Sequence, residues 1–144
     1  SKTLYYTLED ASKSYKIDLV NEKVSLEFIF KNSIEIKPSE NNNELIRIVG
    51  SRSHLNEATK KFISKIEKKI KTEIVSKGSS LKFCLVAEGT ADVYPRFAPT
   101  MEWDTAAGQA ICQAVGVNVI DNKTKLPLRY NKENLLNSNF LVSV

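Results

Sequence analysis

Three stretches of this sequence place residues able to hold an anion where an extended run gives way to a helical one. The first is Gly50-Ser51-Arg52-Ser53-His54, the second Gly78-Ser79-Ser80-Leu81-Lys82. The third is Trp103-Asp104-Thr105-Ala106-Ala107-Gly108, preceded by Tyr94-Pro95-Arg96-Phe97. The start of a helix leaves backbone N–H groups free to point at an anion, and a lysine or arginine beside it adds charge. Each junction also has a plain structural reading, with Ser53, Ser79 or Ser80 and Asp104 acting as helix caps. Gly78–Lys82 lacks the Gly-x-x-x-x-Gly-Lys-Ser/Thr spacing of a P-loop. Asp104 can also ligate a hard cation such as Mg²⁺, but one carboxylate makes a poor divalent site, and Glu88, Asp92 and Glu102 form no evident cluster with it. Nucleophilic catalysis is not indicated, because His54 is the only histidine, there is no Gly-x-Ser-x-Gly, and no spacing pairs an acid with a base.

The elements that must carry these junctions are read from hydrophobic periodicity. Residues 3–8 are β-branched and aromatic and read as a strand, and 16–37 contain two or three short strand candidates, among them the alternating run 24–30. Residues 38–44 are polar and turn-rich, and 44–49 form a strand. Leu55, Ala58, Phe62, Ile63, Ile66 and Ile70 make an apolar stripe on a helix N-capped by Ser53, with Lys60, Lys61, Lys65, Lys68, Lys69 and Lys71 mainly on the other faces. That lysine-rich face reads as a solvated surface, because nucleic-acid binding would call for interleaved aromatics. Further on, 72–76 is a strand, 81–89 a buried helix ending at Gly89, 90–97 a strand, and 103–115 a second buried helix whose Ala-Ala-Gly face permits close approach. Residues 117–121 and 140–144 are strand-like. Strands alternating with helices indicate an α/β fold.

The 144 residues carry 21 Lys+Arg against 17 Asp+Glu, a net charge of +4 that is compatible with anionic ligands without demanding one. With 42% hydrophobic and 26% charged residues, the chain is neither disordered, collagen-like nor a disulfide scaffold. No stretch approaches the ~20 apolar residues needed to cross a bilayer. Cys84 and Cys112 read as reduced, buried thiols. There is no initiator methionine and no signal-peptide pattern, and the first residues already read as strand, so the sequence reads as beginning inside a longer protein.

Residues 79–111, which include Ser79–Cys84, Tyr94–Phe97 and Trp103–Gly108, resemble the C-terminal half of the CysQ-type 3′(2′),5′-bisphosphate nucleotidases, Mg²⁺-dependent phosphatases of the inositol monophosphatase-like superfamily. The likeness extends to 49–54 and to 116–144; it is close over 45–144 and only in outline over 1–44. It implies an α/β fold with a mixed sheet flanked by helices, the C-terminal half of an inositol monophosphatase-like (sugar phosphatase) fold. By this resemblance, 1–44 is a strand-rich remnant at the junction with a missing N-terminal half, and 45–144 is the C-terminal domain. The resemblance assigns Asp104 to a metal ligand near the scissile phosphate, Ser79 and Lys82 to nucleotide binding, and Arg96 and His54 to the surroundings of the ribose phosphate or base. It implies Mg²⁺ as cofactor and adenosine 3′,5′-bisphosphate or 3′-phosphoadenylyl sulfate as substrate, in a sulfur-assimilation context. The family's Glu-Glu pair and Asp-Pro-(Ile/Leu)-Asp-Gly-Thr motif do not occur in these residues, so the chain alone is expected to be inactive and its partner to be the missing half. A homodimer through the exposed junction surface, or partial disorder of 1–44, is a further expectation. Nucleic acid is not an expected partner. The expected location is cytoplasmic, with peripheral attachment at the inner membrane as an alternative. An inositol monophosphatase, and a non-catalytic nucleotide- or partner-binding module, are the alternative functions.

Overall fold

The structure is a computed structural model, and it describes residues 2–19, 23–40, 44–50 and 55–144. The chain opens with an antiparallel hairpin, β1 (Thr3–Thr7) and β2 (Ser14–Asp18), whose strands pair Tyr6 with Tyr15 and stack their rings with centroids 5.4 Å apart. Residues 24–30, expected as a strand, instead enter helix α1 (Leu26–Asn32). The reason is local: Ser25 Oγ accepts the Phe28 N–H at 3.1 Å, Glu27 lies in the first turn and Lys31 in the last. Among the described residues no strand pairs with this run to exploit its two-residue alternation. The short β3 (Ile34–Glu35) then completes a three-stranded sheet in the order β1-β2-β3.

A second, five-stranded sheet carries the main core. Its members are β4 (Leu45–Gly50), β5 (Lys71–Ser76), β6 (Val93–Arg96), β8 (Asn118–Asp121) and β10 (Phe140–Ser143), in the order β5-β4-β6-β10-β8. β4 runs parallel to β5 and β6, while β10 is antiparallel to β6 and β8, so the sheet is mixed. β7 (Thr100–Met101) and β9 (Leu136–Asn137) form a small separate ladder.

Helix α2 (Glu57–Glu67) packs on β5. Its N-cap is Asn56, whose Oδ1 accepts the Thr59 N–H at 2.9 Å, so the helix starts later than a Ser53 cap would place it. Ser53 lies outside the described residues. The six lysines at positions 60, 61, 65, 68, 69 and 71 are exposed, while Ile63 is buried and Phe62 meets Phe97 edge-to-face at 5.5 Å.

Helix α3 (Leu81–Ala87) and helix α4 (Glu102–Gln113) pack on each other between the two sheets, α3 against β6 and β10, α4 against β8 on one side and β1 on the other. At their contact a Cβ on Gly108 would lie 2.6 Å from two atoms of the Phe83 ring, so the close approach expected of the Ala-Ala-Gly face is made by the glycine. Phe83 stacks on Phe140 (5.7 Å) and meets Tyr94 edge-on (5.4 Å), and Val49, Val86, Cys112 and Val142 fill the space around them.

Residues before β4 share this core. Ile36 is buried in it, Ser14 Oγ donates to Ile111 O at 2.9 Å, and Tyr5 packs against it. Glu88, just past α3, accepts from Tyr5 Oη at 3.0 Å and from Lys16 Nζ at 2.8 Å. These bonds fasten the hairpin to α3 and α4.

Candidate functional site

A cavity of about 640 Å³ opens where β1, β6 and the beginnings of α3 and α4 converge. Ser79, Lys82, Arg96 and Asp104 all line it, so the fold brings together four of the five residues singled out from the sequence. His54 lies outside the described residues.

The turn before α3 is shaped by Ser79, whose φ of +58° falls in the left-handed region. Ser80 takes the N-cap position but makes no side-chain cap bond, so α3 lacks the serine cap expected from the sequence. Both serines line the cavity beside Lys82. Lys82 Nζ sits 5.3 Å from the centroid of the Tyr94 ring, a cation–π contact. Burial, and then the Arg96 charge, hold its pKa below the ordinary lysine value. Burial likewise raises the Tyr94 phenol. Arg96, at the end of β6, donates from Nη2 to Pro99 O at 3.2 Å, while its Nε is buried without a partner among the described residues. Among those residues neither Lys82 nor Arg96 has an ion-pair partner. Two neighbouring cations outnumber the one carboxylate of the lining and pair with no acid among the described residues, and one has an unused donor, so the cavity is attractive to an anion.

Asp104 lies in the first turn of α4, where Oδ2 accepts the Met101 N–H at 2.8 Å. Capping and ligand contact are compatible here, because Oδ1 has no partner among the described residues. Glu102 is directed elsewhere: its carboxylate accepts from Asn131 N at 2.7 Å, from Lys132 N at 3.2 Å and from Lys132 Nζ. The Lys132 ammonium holds the Glu102 carboxyl below the usual range. Among the described residues no group of three His, Cys, Asp or Glu side chains is placed to hold a metal ion. The described residues therefore do not fit Mg²⁺ by themselves.

Sequence reasoning missed one wall of the cavity, formed by Thr3, Leu4 and Tyr5 of β1. No local signal marks them, since they reach the site only because the hairpin folds across α3 and α4. In the sequence Trp103 stands out only as part of a motif; in the structure it is 67% exposed at the cavity, and it is the chain's one tryptophan.

Residues 20–143 match the inositol monophosphatase family. The chain belongs to that family. Within it, the chain is 49% identical over 98 residues to the 3′(2′),5′-bisphosphate nucleotidase CysQ of Escherichia coli (strain K12), an alignment covering 67% of this chain and 38% of that protein. The crystal structure of CysQ from Bacteroides thetaiotaomicron is similar with a TM-score of 0.85 and 46% identity, covering 99% of this chain and 54% of that one. Staphylococcal IMPase-II, at 18% identity and a TM-score of 0.60, shares the fold. The aligned part of this family member thus covers 38% of the length of its Escherichia coli relative, and the chain covers 54% of the Bacteroides thetaiotaomicron protein. Among the described residues no helix is long and apolar enough to cross a membrane.

Proposed function

We propose that this chain is the C-terminal, nucleotide-holding part of a Mg²⁺-dependent phosphatase that converts adenosine 3′,5′-bisphosphate to AMP and phosphate. The observation that carries this reading is the convergence of Lys82 and Arg96, without ion-pair partners among the described residues, on the cavity that Asp104 also lines. The names of the CysQ relatives support the substrate class. Hydrolysis breaks the bond from phosphorus to the ribose O3′, with water supplying the new phosphate oxygen and O3′ gaining a proton. Lys82 and Arg96 hold phosphate, Ser79 offers its hydroxyl and backbone at the turn, and the hairpin wall limits access of water. The metal's remaining carboxylates are proposed to lie outside these 144 residues, so the chain alone does not turn over substrate. The sulfated relative, 3′-phosphoadenylyl sulfate, fits the same chemistry.

One observation favours a second reading, a nucleotide-binding module without catalysis: among the described residues Asp104 is the single carboxylate lining the cavity. Calorimetric titration with adenosine 3′,5′-bisphosphate, followed by a phosphate-release assay with Mg²⁺, separates the readings. Binding is expected without turnover, and Lys82→Met or Arg96→Met each weakens it about tenfold or more, the effect of losing a charge-assisted hydrogen bond. Affinity untouched by both substitutions refutes the site. Turnover comparable to that of a complete nucleotidase refutes the inactivity of the chain alone. In a longer protein that contains this chain, phosphate release with Mg²⁺ favours the phosphatase, and binding without release favours the module.

A further inference from the structure

We propose that the Glu102–Lys132 ion pair, with Asn137 and Tyr130, is a positioning device that sets Asp104 and Trp103 at the cavity. The segment between β8 and β10 reaches back to the beginning of α4 and fastens it at several points. Glu102 N donates to Leu135 O at 3.0 Å, and the Glu102 carboxylate takes two backbone N–H groups and the Lys132 ammonium from the same segment. Lys132 Nζ also donates to Arg129 O at 2.9 Å. Asn137 Nδ2 lies 3.0 Å from both Met101 O and Thr105 Oγ1, and Tyr130 Oη donates to Gln109 Oε1 at 2.8 Å and lies 3.2 Å from Thr105 Oγ1.

Glu102, Thr105, Gln109 and Asn137 are buried while Lys132 and Tyr130 are partly exposed, so losing one partner leaves a buried acceptor or donor of the others less well satisfied. They grip residues on both sides of Trp103 and Asp104, which themselves stay exposed. The Glu102 charge, two residues from Asp104, is turned inward and neutralised instead of adding to the negative potential that an anionic ligand meets. The effect on ligand affinity rests on the function proposed above; the positioning of Trp103 does not.

Trp103 reports on the device directly, being the chain's only tryptophan. Lys132→Met keeps the aliphatic stem and removes the charge. In a folded variant, checked by circular dichroism, Trp103 fluorescence anisotropy is expected to fall and its quenching by acrylamide to rise. The dissociation constant for adenosine 3′,5′-bisphosphate is expected to rise up to about tenfold, as for loss of one charge-assisted hydrogen bond. Lys132→Arg restores both. Arg47→Met breaks the Arg47–Asp92 pair, 2.7 Å long and remote in sequence from α4, and is expected to lower stability while leaving Trp103 anisotropy unchanged. Unchanged Trp103 signals in folded Lys132→Met, or equal loss of anisotropy in Arg47→Met, overturn the proposal. If Lys132→Met does not fold, Tyr130→Phe decides in its place, with a smaller change in the same direction expected and no change overturning it. Failure of the unmodified chain to bind the bisphosphate refutes the function, and the device is then judged on Trp103 alone.

Discussion

Gly108→Ala sets two effects of opposite sign against each other. Gly108 lies within α4, where alanine is favoured over glycine by up to about 1 kcal/mol. The added Cβ, however, would lie 2.6 Å from Phe83 Cγ and Cδ2 and 3.0 Å from Phe83 Cβ. The Phe83 ring cannot turn aside freely, because Phe140 stacks on it at 5.7 Å and Tyr94 abuts it at 5.4 Å. Relief must come from separating α3 and α4, and overpacking of this kind costs about 1–3 kcal/mol. With a clash involving three atoms the upper part of that range applies, and the net loss is about 1–2 kcal/mol after the helix preference is subtracted. For a chain of this size that lowers the melting temperature by roughly 2–8 °C. The separation also moves Lys82 on α3 away from Asp104 on α4, so affinity for the bisphosphate falls as well. Thermal unfolding followed by circular dichroism, with calorimetric titration, measures both. A melting temperature equal to or above that of the unmodified chain refutes the reasoning, since Phe83 would then yield without cost.

Three other outcomes are expected. Because burial lowers the Lys82 pKa, the fold bears a cost for its charge at low pH, and stability rises as pH climbs from that lowered pKa towards the ordinary 10.5. Bisphosphate affinity runs the opposite way, falling over that window in the unmodified chain but not in Lys82→Met, as titrations at stepped pH will show. Burial raises the Cys84 thiol to about 11 and pushes the Cys112 thiol up further, so iodoacetamide at pH 8 should alkylate Cys84 about a hundredfold more slowly than an ordinary cysteine, reading thiolate fraction alone. Rapid labelling of the folded chain, followed by mass spectrometry, would contradict this. Millimolar Mg²⁺ should leave the melting temperature unchanged, since Asp104 alone offers too few oxygens; a clear rise would show a metal site within this chain.

Local chemistry made much of the molecule legible. The buried helices, the strands of the five-stranded sheet and the glycine at the helix contact follow from apolar periodicity and side-chain size. Helix α1 was not legible, because a two-residue alternation in 24–30 suggests a strand until the Ser25 cap and the lack of a pairing strand among the described residues decide otherwise. The start of α2 was likewise set by the Asn56 cap.

By itself the sequence determined which residue types stand at each strand-to-helix junction, because helix starts and the charges beside them are properties of neighbouring residues. Only the tertiary structure decided which junctions share a cavity. Ser79, Lys82, Arg96 and Asp104 converge because α3 and α4 pack tightly through Gly108 and Phe83 beside β6. The same packing brings Tyr5 across from the first strand and Lys132 back to Glu102, contacts between residues far apart in the chain that no local pattern encodes.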